Sequence, residues 1–296
     1  MSTMRQTFVD VVERSTDPRV VVVIAEISRD VFTPSDRVIN VGIREQALVG
    51  VGAGLALAGL RPVVHSYAPF LVERPFEQIK LDFGHQDLGG VLVSIGASYD
   101  DPAWGRTHQA PGDVALLDTL PGWRVVVPGH PDEVAPVVAD ALAADDRVYI
   151  RLSTRENDAP HPVIEGLTEV RTGSRGVVVA VGPALRNVLE ATAGADVTVL
   201  YATTVRPFDA DGLRRAVARS RPDVLLVEPY LEGTSARLVS EALADTPHRL
   251  RSLGVRRDAE LRAYGTPEDH DSAHELDALG IAAAVRRMFD HPVPAA

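Results

Sequence analysis

The stretch Asn40-Val41-Gly42-Ile43-Arg44-Glu45-Gln46, followed by the glycine- and alanine-rich run 47–59, is the most informative part of this sequence. It lies between two strand-like segments, Val20–Ala25 upstream and Arg61–Val64 downstream. The first segment is an almost unbroken apolar run, which is typical of a strand buried in a parallel sheet, and the second resumes as a short strand. The pattern therefore predicts a strand, a helix and a second strand, with the carboxylate of Glu45 at the start of the helix.

Glycines interrupt this predicted helix at Gly50, Gly52, Gly54 and Gly59. Because glycine lowers helix stability, we attribute them to a close backbone approach to a neighbouring helix or subunit. A glutamate at the mouth of such a helix, partly shielded from water, is suited to exchange a proton with a ligand. The alternative is that Glu45 only complements the helix dipole.

Strand-like and helix-like patterns alternate along the whole chain, which predicts an α/β fold. The predicted strands are 20–25, 62–66, 91–95, 124–127 and 148–152, then 177–181, 197–201, 224–227 and 250–254, with helices at 184–195, 209–219 and 235–243. Proline and glycine are frequent from Asp158 to Arg175, which is typical of a linker. We predict a parallel-sheet domain over residues 1–160 and a smaller α/β domain over 174–296.

The composition excludes several classes of function. The chain has 296 residues, 45% hydrophobic and 24% charged, enough for two domains with proper cores. The absence of cysteine excludes disulfides, thiolate metal sites and thiol catalysis. A net charge of −11 offers no basic surface for nucleic acid or anionic membranes. No apolar run reaches membrane-spanning length and Met1–Asp10 lacks a signal-peptide core, so we expect a cytoplasmic protein.

The Gly42–Gln46 string resembles the pyrimidine-binding domain of transketolases and of 1-deoxyxylulose-5-phosphate synthase, both thiamine diphosphate enzymes. Further similarities to the family follow in the same order along the chain, at Leu60–Val63, Tyr67–Leu71 with Arg74, Phe76–Ile79, Thr107–Gln109, Leu120–Pro128 and Arg155–Asn157. The second half resembles the C-terminal transketolase domain, including Arg206–Asp209. Each match alone has little specificity, but their shared order is specific.

This resemblance implies roles for four residues at the cofactor. Glu45 would bind the far nitrogen of the aminopyrimidine ring of thiamine diphosphate and promote its reactive tautomer. Phe70 would stack on that ring, with Tyr67 beside it. Glu26 occupies the place where many family members have an aspartate next to the cofactor. The alternative for Tyr67 and Phe70 is that both are core aromatics.

The resemblance also assigns three residues to the substrate. His108 lies in the glycine- and proline-rich loop Pro102–Pro111, where a histidine is more available for catalysis than in a core. It would face the donor's hydroxyl groups and move protons during carbon–carbon cleavage. Arg155 and Arg5 match family arginines near the substrate's phosphate, which a guanidinium can bind through two hydrogen bonds. The alternative for both arginines is an exposed salt bridge.

A metal site is not expected in this chain. Full-length transketolases carry a preceding domain that holds the diphosphate through a divalent cation, with a Gly-Asp-Gly motif and an asparagine, and neither is found here. We interpret the acid pairs Asp100-Asp101 and Asp145-Asp146 as solvated loop charges rather than Mg²⁺ ligands. The resemblance therefore implies the C-terminal half of a split transketolase. A partner subunit with the diphosphate-binding domain would complete the site for thiamine diphosphate and would bind its Mg²⁺. The two subunits would form an α2β2 heterotetramer.

Two departures from the family pattern concern the substrate. Trp104 stands where the family usually has the aspartate that recognises a donor hydroxyl, and Glu73 stands where some transketolases have a second aromatic. We expect transfer of a two-carbon ketol unit from a ketose phosphate, to a modified sugar or to a carrier-bound group. The alternatives are a 2-oxoacid dehydrogenase β subunit, which has a different glutamate motif, and a non-catalytic subunit. Retention of Glu45, Phe70 and His108 argues against the latter.

Overall fold

The structure is a computed structural model that describes residues 3–258 and 260–290. The first two residues of the segment Met1–Asp10 lie outside the described residues. The same holds for Ala259 and for residues 291–296, at the end of the predicted second domain. Within the described residues, no helix combines the length and the apolar character needed to cross a membrane.

Strands and α-helices alternate along the described part of the chain. The strands are β1 (Val20–Ile24), β2 (Val38–Asn40), β3 (Arg61–Tyr67), β4 (Gly90–Ile95), β5 (Trp123–Val126), β6 (Arg147–Arg151), β7 (Leu167–Arg171), β8 (Val177–Val181), β9 (Thr198–Ala202), β10 (Thr204–Arg206), β11 (Asp223–Leu231) and β12 (Arg249–Val255). The helices are α1 (Met4–Arg14), α2 (Glu45–Leu57), α3 (Phe76–Gln78), α4 (Asp113–Leu117), α5 (Pro131–Ala143), α6 (Leu185–Ala191), α7 (Ala210–Val217), α8 (Ala236–Ala242), α9 (Pro267–Ala273) and α10 (Ala278–Val285). The π-helical turns are Pro69–Glu73, Ile79–His85 and Arg286–Asp290.

The first sheet has seven strands in the order β10-β5-β6-β4-β3-β1-β2. All neighbouring strands are parallel except β10, which runs antiparallel to β5. Helices cover both faces, with α1 and α5 contributing to one apolar core and α2 to the other. The five residues of β1, all valine or isoleucine, are buried because both faces of the sheet are covered.

The second sheet has five strands in the order β12-β11-β8-β9-β7. Its core lies between the sheet and α6 and α10 on one side, and α7 and α8 on the other. The predicted α/β architecture with two sheets is therefore confirmed. Strand β7 lies inside the interval 158–175 that the sequence indicated as a linker; its residues are half-buried or exposed, which is typical of an edge strand.

The two halves of the chain contact each other around the loop 96–111. Strand β10 extends the first sheet although it follows β9 of the second. Tyr99 donates a hydrogen bond from its hydroxyl to Asp271 at 2.7 Å, and the backbone of Leu231 donates to Pro111 at 2.7 Å. The loop that contains His108 is thus held by both halves of the chain.

Candidate active site

The predicted cofactor residues lie at the carboxyl edge of the first sheet. Glu26 follows β1, Tyr67 ends β3 and α2 begins shortly after β2. Because parallel strands end at the same edge of a sheet, these segments meet where α/β proteins commonly bind ligands. Phe70 lies in the π-helical turn Pro69–Glu73, three residues beyond the end of β3.

Asn40 shapes the turn that leads into α2. Its side-chain oxygen accepts hydrogen bonds from the backbone of Glu26 at 3.1 Å and of Gly42 at 3.0 Å, and its amide donates to the Glu26 carboxylate at 2.9 Å. Glu26 itself has a φ of 64°, in the left-handed region that residues other than glycine rarely adopt. The Glu26 carboxylate therefore helps to shape the turn before Glu45.

Glu45 is the first residue of α2, and only 4% of its side chain is exposed. Its Oε1 accepts a hydrogen bond from Arg74 Nη1 at 2.7 Å. Gly52 has no Cβ, which lets the helix approach the sheet closely. A Cβ at this position would lie only 2.6 Å from Val64 Cγ2. This glycine faces strand β3, whereas the sequence pattern predicted that the glycines face a neighbouring helix or subunit.

Arg74 also covers the predicted stacking residue. The centre of its guanidinium lies 4.2 Å from the centroid of the Phe70 ring. A planar cation at this distance from an aromatic ring makes a favourable cation–π interaction. Arg74 therefore connects Glu45 and Phe70, the two residues that are predicted to bind a single planar ligand.

His108 lies within a cluster of aromatic rings. Its ring centroid is 5.6 Å from that of Tyr67, 5.0 Å from that of Phe70 and 5.4 Å from that of Trp104. The hydroxyl of Thr107 lies 3.0 Å from His108 Nδ1. Tyr67 and Phe70 are both partly exposed rather than fully buried core residues. The structure thus brings Tyr67, Phe70 and His108 together, as the sequence predicts.

Tyr67 has a perturbed hydroxyl group. Burial raises the pKa of Tyr67 to about 12, and the neighbouring Asp101 carboxylate contributes to the increase. The tyrosine therefore stays protonated at neutral pH and can donate a hydrogen bond. Asp101 had no predicted part in this site, because nothing in the local pattern indicates its contact with Tyr67.

Arg5 belongs to a buried polar chain beside the site. Its Nη2 donates to Ser28 Oγ at 2.8 Å, and Ser28 Oγ lies 2.6 Å from His65 Nε2. His65 Nδ1 lies 2.8 Å from the carbonyl oxygen of Val93, which can only accept, so Nδ1 carries the proton. Burial lowers the pKa of His65 to about 4. The Ser28 hydroxyl consequently donates to neutral His65 while it accepts from Arg5.

Arg155 lies at the contact between the two halves of the chain. Its Nη2 donates to the carboxylate of Asp271, at α9, and its Nη1 is 3.8 Å from Glu268. About 29% of the Arg155 side chain is exposed. The structure therefore pairs Arg155 with carboxylates of the second half and does not join it directly to the aromatic cluster around His108.

The acid pairs differ in their environments. Asp100 is buried and accepts hydrogen bonds from the backbone of Ala97 and Thr154 and from the hydroxyl of Ser153, at 2.8–3.0 Å. Its interpretation as a solvated loop charge was therefore wrong: burial raises the pKa of Asp100 to about 6. Asp145 is exposed and pairs with Arg19. Within the described residues, no group of three or more His, Cys, Asp or Glu side chains is arranged to hold a metal ion.

Comparisons with known proteins identify the class of this chain. Residues 3–158 match the family described as transketolase, pyrimidine binding domain. Since this match covers more than half of the chain, the chain belongs to the transketolase family. Within that family it is a C-terminal subunit of the split, transketolase-like type, as its similarity over almost the full length to the following proteins shows.

Two relatives and one solved structure define this similarity. The chain is 56% identical over 281 residues to an uncharacterized 33.6 kDa protein of the fasciation locus of Rhodococcoides fascians, covering 93% of this chain and 90% of that protein. It is 30% identical over 260 residues to one subunit of the apulose-4-phosphate transketolase of Actinobacillus succinogenes, covering 83% of each. The solved structure of a split gene transketolase, described as an inactive β4 tetramer, is 25% identical with a TM-score of 0.85, covering 98% of this chain and 99% of that one.

Proposed function

We propose that this chain is the pyrimidine-binding subunit of a thiamine diphosphate transketolase that transfers a two-carbon ketol unit from a ketose phosphate to an acceptor. The observation that carries the proposal is the convergence of Glu45, Phe70 and His108 at one sheet edge, with Arg74 joining the first two. The named relative and the solved structure reported above are transketolases. They support ketol transfer over the reaction of a 2-oxoacid dehydrogenase.

The residues at this edge fit an aminopyrimidine ring. The guanidinium of Arg74 is planar, lies over Phe70 and donates an N–H to Glu45, so it makes the two contacts that such a ring would need. Glu45 and Phe70 would hold the ring, with Tyr67 at its side and Glu26 shaping the preceding turn. When bound there, thiamine diphosphate would supply a nucleophilic carbon for attack on the carbonyl group of the ketose.

Each side chain then has a defined task. Glu45, shielded from water at the start of α2, holds the proton on the pyrimidine nitrogen and so controls the tautomer. His108, whose Nδ1 lies against the Thr107 hydroxyl, presents Nε2 on the opposite side of its ring. We assign to that nitrogen the transfer of the proton of a donor hydroxyl as the carbon–carbon bond breaks.

The substrate's phosphate is assigned to Arg155 and Arg5. In the isolated chain Asp271 holds Arg155, and a phosphate dianion would compete with that carboxylate for the guanidinium. Arg5 Nε is buried and has no hydrogen-bond partner among the described residues, which leaves one donor of this arginine unsatisfied. In the proposal these two arginines supply the positive charge that binds the phosphate.

We further propose that a partner subunit completes the enzyme and supplies the Mg²⁺-diphosphate site, in an α2β2 heterotetramer. The outer side of α2 and the turn before it form a suitable contact surface, because Leu57 at the end of the helix is 68% exposed and Ile43, two residues before its start, is 73% exposed. No described atom lies within 4 Å of a Cβ placed on Gly54, so this face also permits close packing. The related split transketolase described as an inactive β4 tetramer supports the view that such a subunit alone does not catalyse.

The test combines the purified chain with a candidate partner that carries the Gly-Asp-Gly motif. We expect the chain alone, with Mg²⁺, to bind thiamine diphosphate poorly in calorimetry and to show no ketol transfer. The mixture should form a stable hetero-oligomer in sedimentation and become active, while a mixture containing the Glu45→Gln chain should assemble and remain almost inactive. Full activity of the chain alone, free of other transketolases, would overturn the two-subunit proposal.

A further inference from the structure

Two large aromatic side chains from distant parts of the chain are exposed at the mouth of the site. Trp104 is 65% exposed and Tyr264 is 62% exposed. Trp104 directly precedes Gly105, and the ring of Tyr264 packs on Gly105, so the two exposed rings flank the same residue. Exposed apolar patches on soluble proteins often mark binding surfaces. We call Trp104 and Tyr264 the aromatic rim.

The aromatic rim continues the inner aromatic cluster. Trp104 lies beside His108, with centroids 5.4 Å apart and ring planes 35° from parallel. His108 in turn contacts Phe70, at a centroid distance of 5.0 Å. Ring surfaces therefore follow one another from the proposed cofactor site to the exposed indole.

Tyr264 reaches this loop because the residue after Trp104 is a glycine. Gly105 has a φ of +69°, and a Cβ on it would lie 2.8 Å from the Tyr264 ring. Any larger residue would face both a strained backbone and a steric clash with the tyrosine. Gly105 thus allows a residue of the second half to pack on the active-site loop.

The position of Tyr264 is further secured by polar contacts. Its carbonyl oxygen accepts from His270 Nε2 at 2.8 Å, and Glu260 forms an ion pair with Arg106 at 3.3 Å. Thr266 caps α9 in a reciprocal pair with Asp269. The segment that carries Tyr264 is consequently attached to the active-site loop on one side and to α9 on the other.

The aromatic rim offers few partners for the hydroxyl groups of a sugar. An aromatic face can stack on a sugar ring as well as on a flat unsaturated group, but a sugar also needs several hydrogen-bond partners, and the indole and the phenol supply one polar atom each. The charged side chain nearest Trp104 along the loop, Arg106, is already paired with Glu260, so it is not an unpaired cation awaiting a phosphate. These properties suit an uncharged, flat group.

We infer that the acceptor carries a flat, unsaturated group that stacks on Trp104 and Tyr264; this rests on the ketol transfer proposed above. The flat group belongs to the acceptor because the donor of a ketol unit must be a hydroxylated ketose. The transfer breaks the C2–C3 bond of the ketose and releases the shortened aldehyde. The two-carbon unit forms a new bond to the carbonyl carbon of the acceptor aldehyde. The donor loses one hydroxyl proton and the new alcohol gains one, so protons balance. No oxidant is needed.

The test compares two uncharged acceptors, benzaldehyde and D-glyceraldehyde, with the complete complex and one saturating ketose phosphate donor. Trp104→Asp should lower the ratio of kcat/KM for benzaldehyde over glyceraldehyde by roughly ten-fold, and Tyr264→Ala by roughly two- to ten-fold, since aromatic contacts have about this value. Trp104→Phe and Tyr264→Phe should retain the ratio. Leu279→Ala, an exposed apolar residue on α10, is the matched control and should change nothing.

An unchanged ratio in Trp104→Asp would overturn the inference, and so would weaker assembly of the Trp104→Asp and Tyr264→Ala chains with the partner in sedimentation. The latter result would mean that the aromatic rim is a subunit interface.

A second measurement separates this inference from the proposed function: benzaldehyde should quench tryptophan fluorescence of the wild-type complex more than that of the Trp104→Phe complex. If quenching persists but no acceptor reacts, the stacking surface is supported and ketol transfer is wrong. Equal quenching in both complexes would contradict the stacking surface.

Discussion

Arg74 and Glu45 form an ion pair across the proposed cofactor site, with Nη1 and Oε1 2.7 Å apart. Only 4% of the Glu45 side chain is exposed, against 42% for Arg74. A carboxylate removed from water is costly without a partner, so the guanidinium stabilises its charge in the isolated chain. The same guanidinium has an exposed side, from which it can be displaced.

Removal of Arg74 should therefore destabilise the isolated chain. We expect Arg74→Ala to lower the free energy of unfolding by about 1–3 kcal/mol, the usual range for a hydrogen bond to a charged group. In a Glu45→Gln background the same change should cost clearly less, because the neutral amide does not need the cation. Urea denaturation of the four chains measures this coupling. Arg44→Ala, an exposed arginine next to Glu45, serves as control, and equal costs in both backgrounds would contradict the prediction.

Replacement of Glu45 by glutamine should abolish most ketol transfer in the assembled complex. Acid–base assistance of this kind contributes about a hundred- to ten-thousand-fold in rate, and an amide of the same shape cannot supply it. Steady-state kinetics gives the loss, while sedimentation should show normal assembly. Turnover near that of the wild type would remove Glu45 from the mechanism.

The histidine of the loop should act on the substrate rather than on the cofactor. His108→Ala is expected to lower kcat by about a hundred-fold or more, since a proton-transfer group is lost. The affinity of the complex for thiamine diphosphate, measured by calorimetry, should change much less. The opposite pattern, weak cofactor binding with unchanged turnover at saturation, would show that His108 supports the cofactor instead.

Arg155 offers a test of phosphate recognition. Arg155→Ala should raise KM for a phosphorylated ketose by about ten-fold or more, because a charge-assisted contact is lost, and should leave a ketose without phosphate nearly unaffected. The matched variant Asp271→Asn removes the ion pair but keeps the arginine. If Asp271→Asn reproduces every effect of Arg155→Ala, the arginine has a structural role between the two halves of the chain.

Glu228 should make stability depend on pH. Burial raises the pKa of Glu228 to about 7, against the opposing hydrogen bonds from Ser235. Between its ordinary value of 4.5 and about 7, the folded chain binds more protons at this group than the unfolded chain does. Its contribution to stability is thus fully present below about 4.5 and is lost as the pH rises through about 7.

The substitution Glu228→Gln should remove this loss. Urea unfolding at several pH values measures this effect. Between pH 5 and pH 8 the wild type should lose stability relative to the Glu228→Gln chain, by on the order of 1–3 kcal/mol. Comparison with the wild type at each pH removes the contributions of other titrating groups, such as His65. A difference that stays constant over this range would contradict the assignment.

Local patterns in the sequence were sufficient for the architecture, and the resemblance supplied the residues of the candidate site. Valine-rich runs such as 20–24 and 177–181 predict strands. Both faces of a parallel sheet are buried, so consecutive residues of its strands are all apolar. The order of Glu45, Phe70 and His108 along the chain, read through the resemblance, predicted that they meet. The geometry of parallel strands then places their loops at one edge.

Only the tertiary structure shows which side chains contact each other at this edge of the sheet. Arg74 reaches both Glu45 and Phe70 through the π-helical turn Pro69–Glu73, and helical spacing by itself does not predict the turn or these contacts. Tyr264 lies more than 150 residues from Gly105 in sequence, and its contact depends on how the second half packs on the first. The sequence determines where chains bend and which surfaces must be buried, because those properties follow from neighbouring residues. Contacts between remote residues follow from packing of the whole chain, so only the folded structure reveals them.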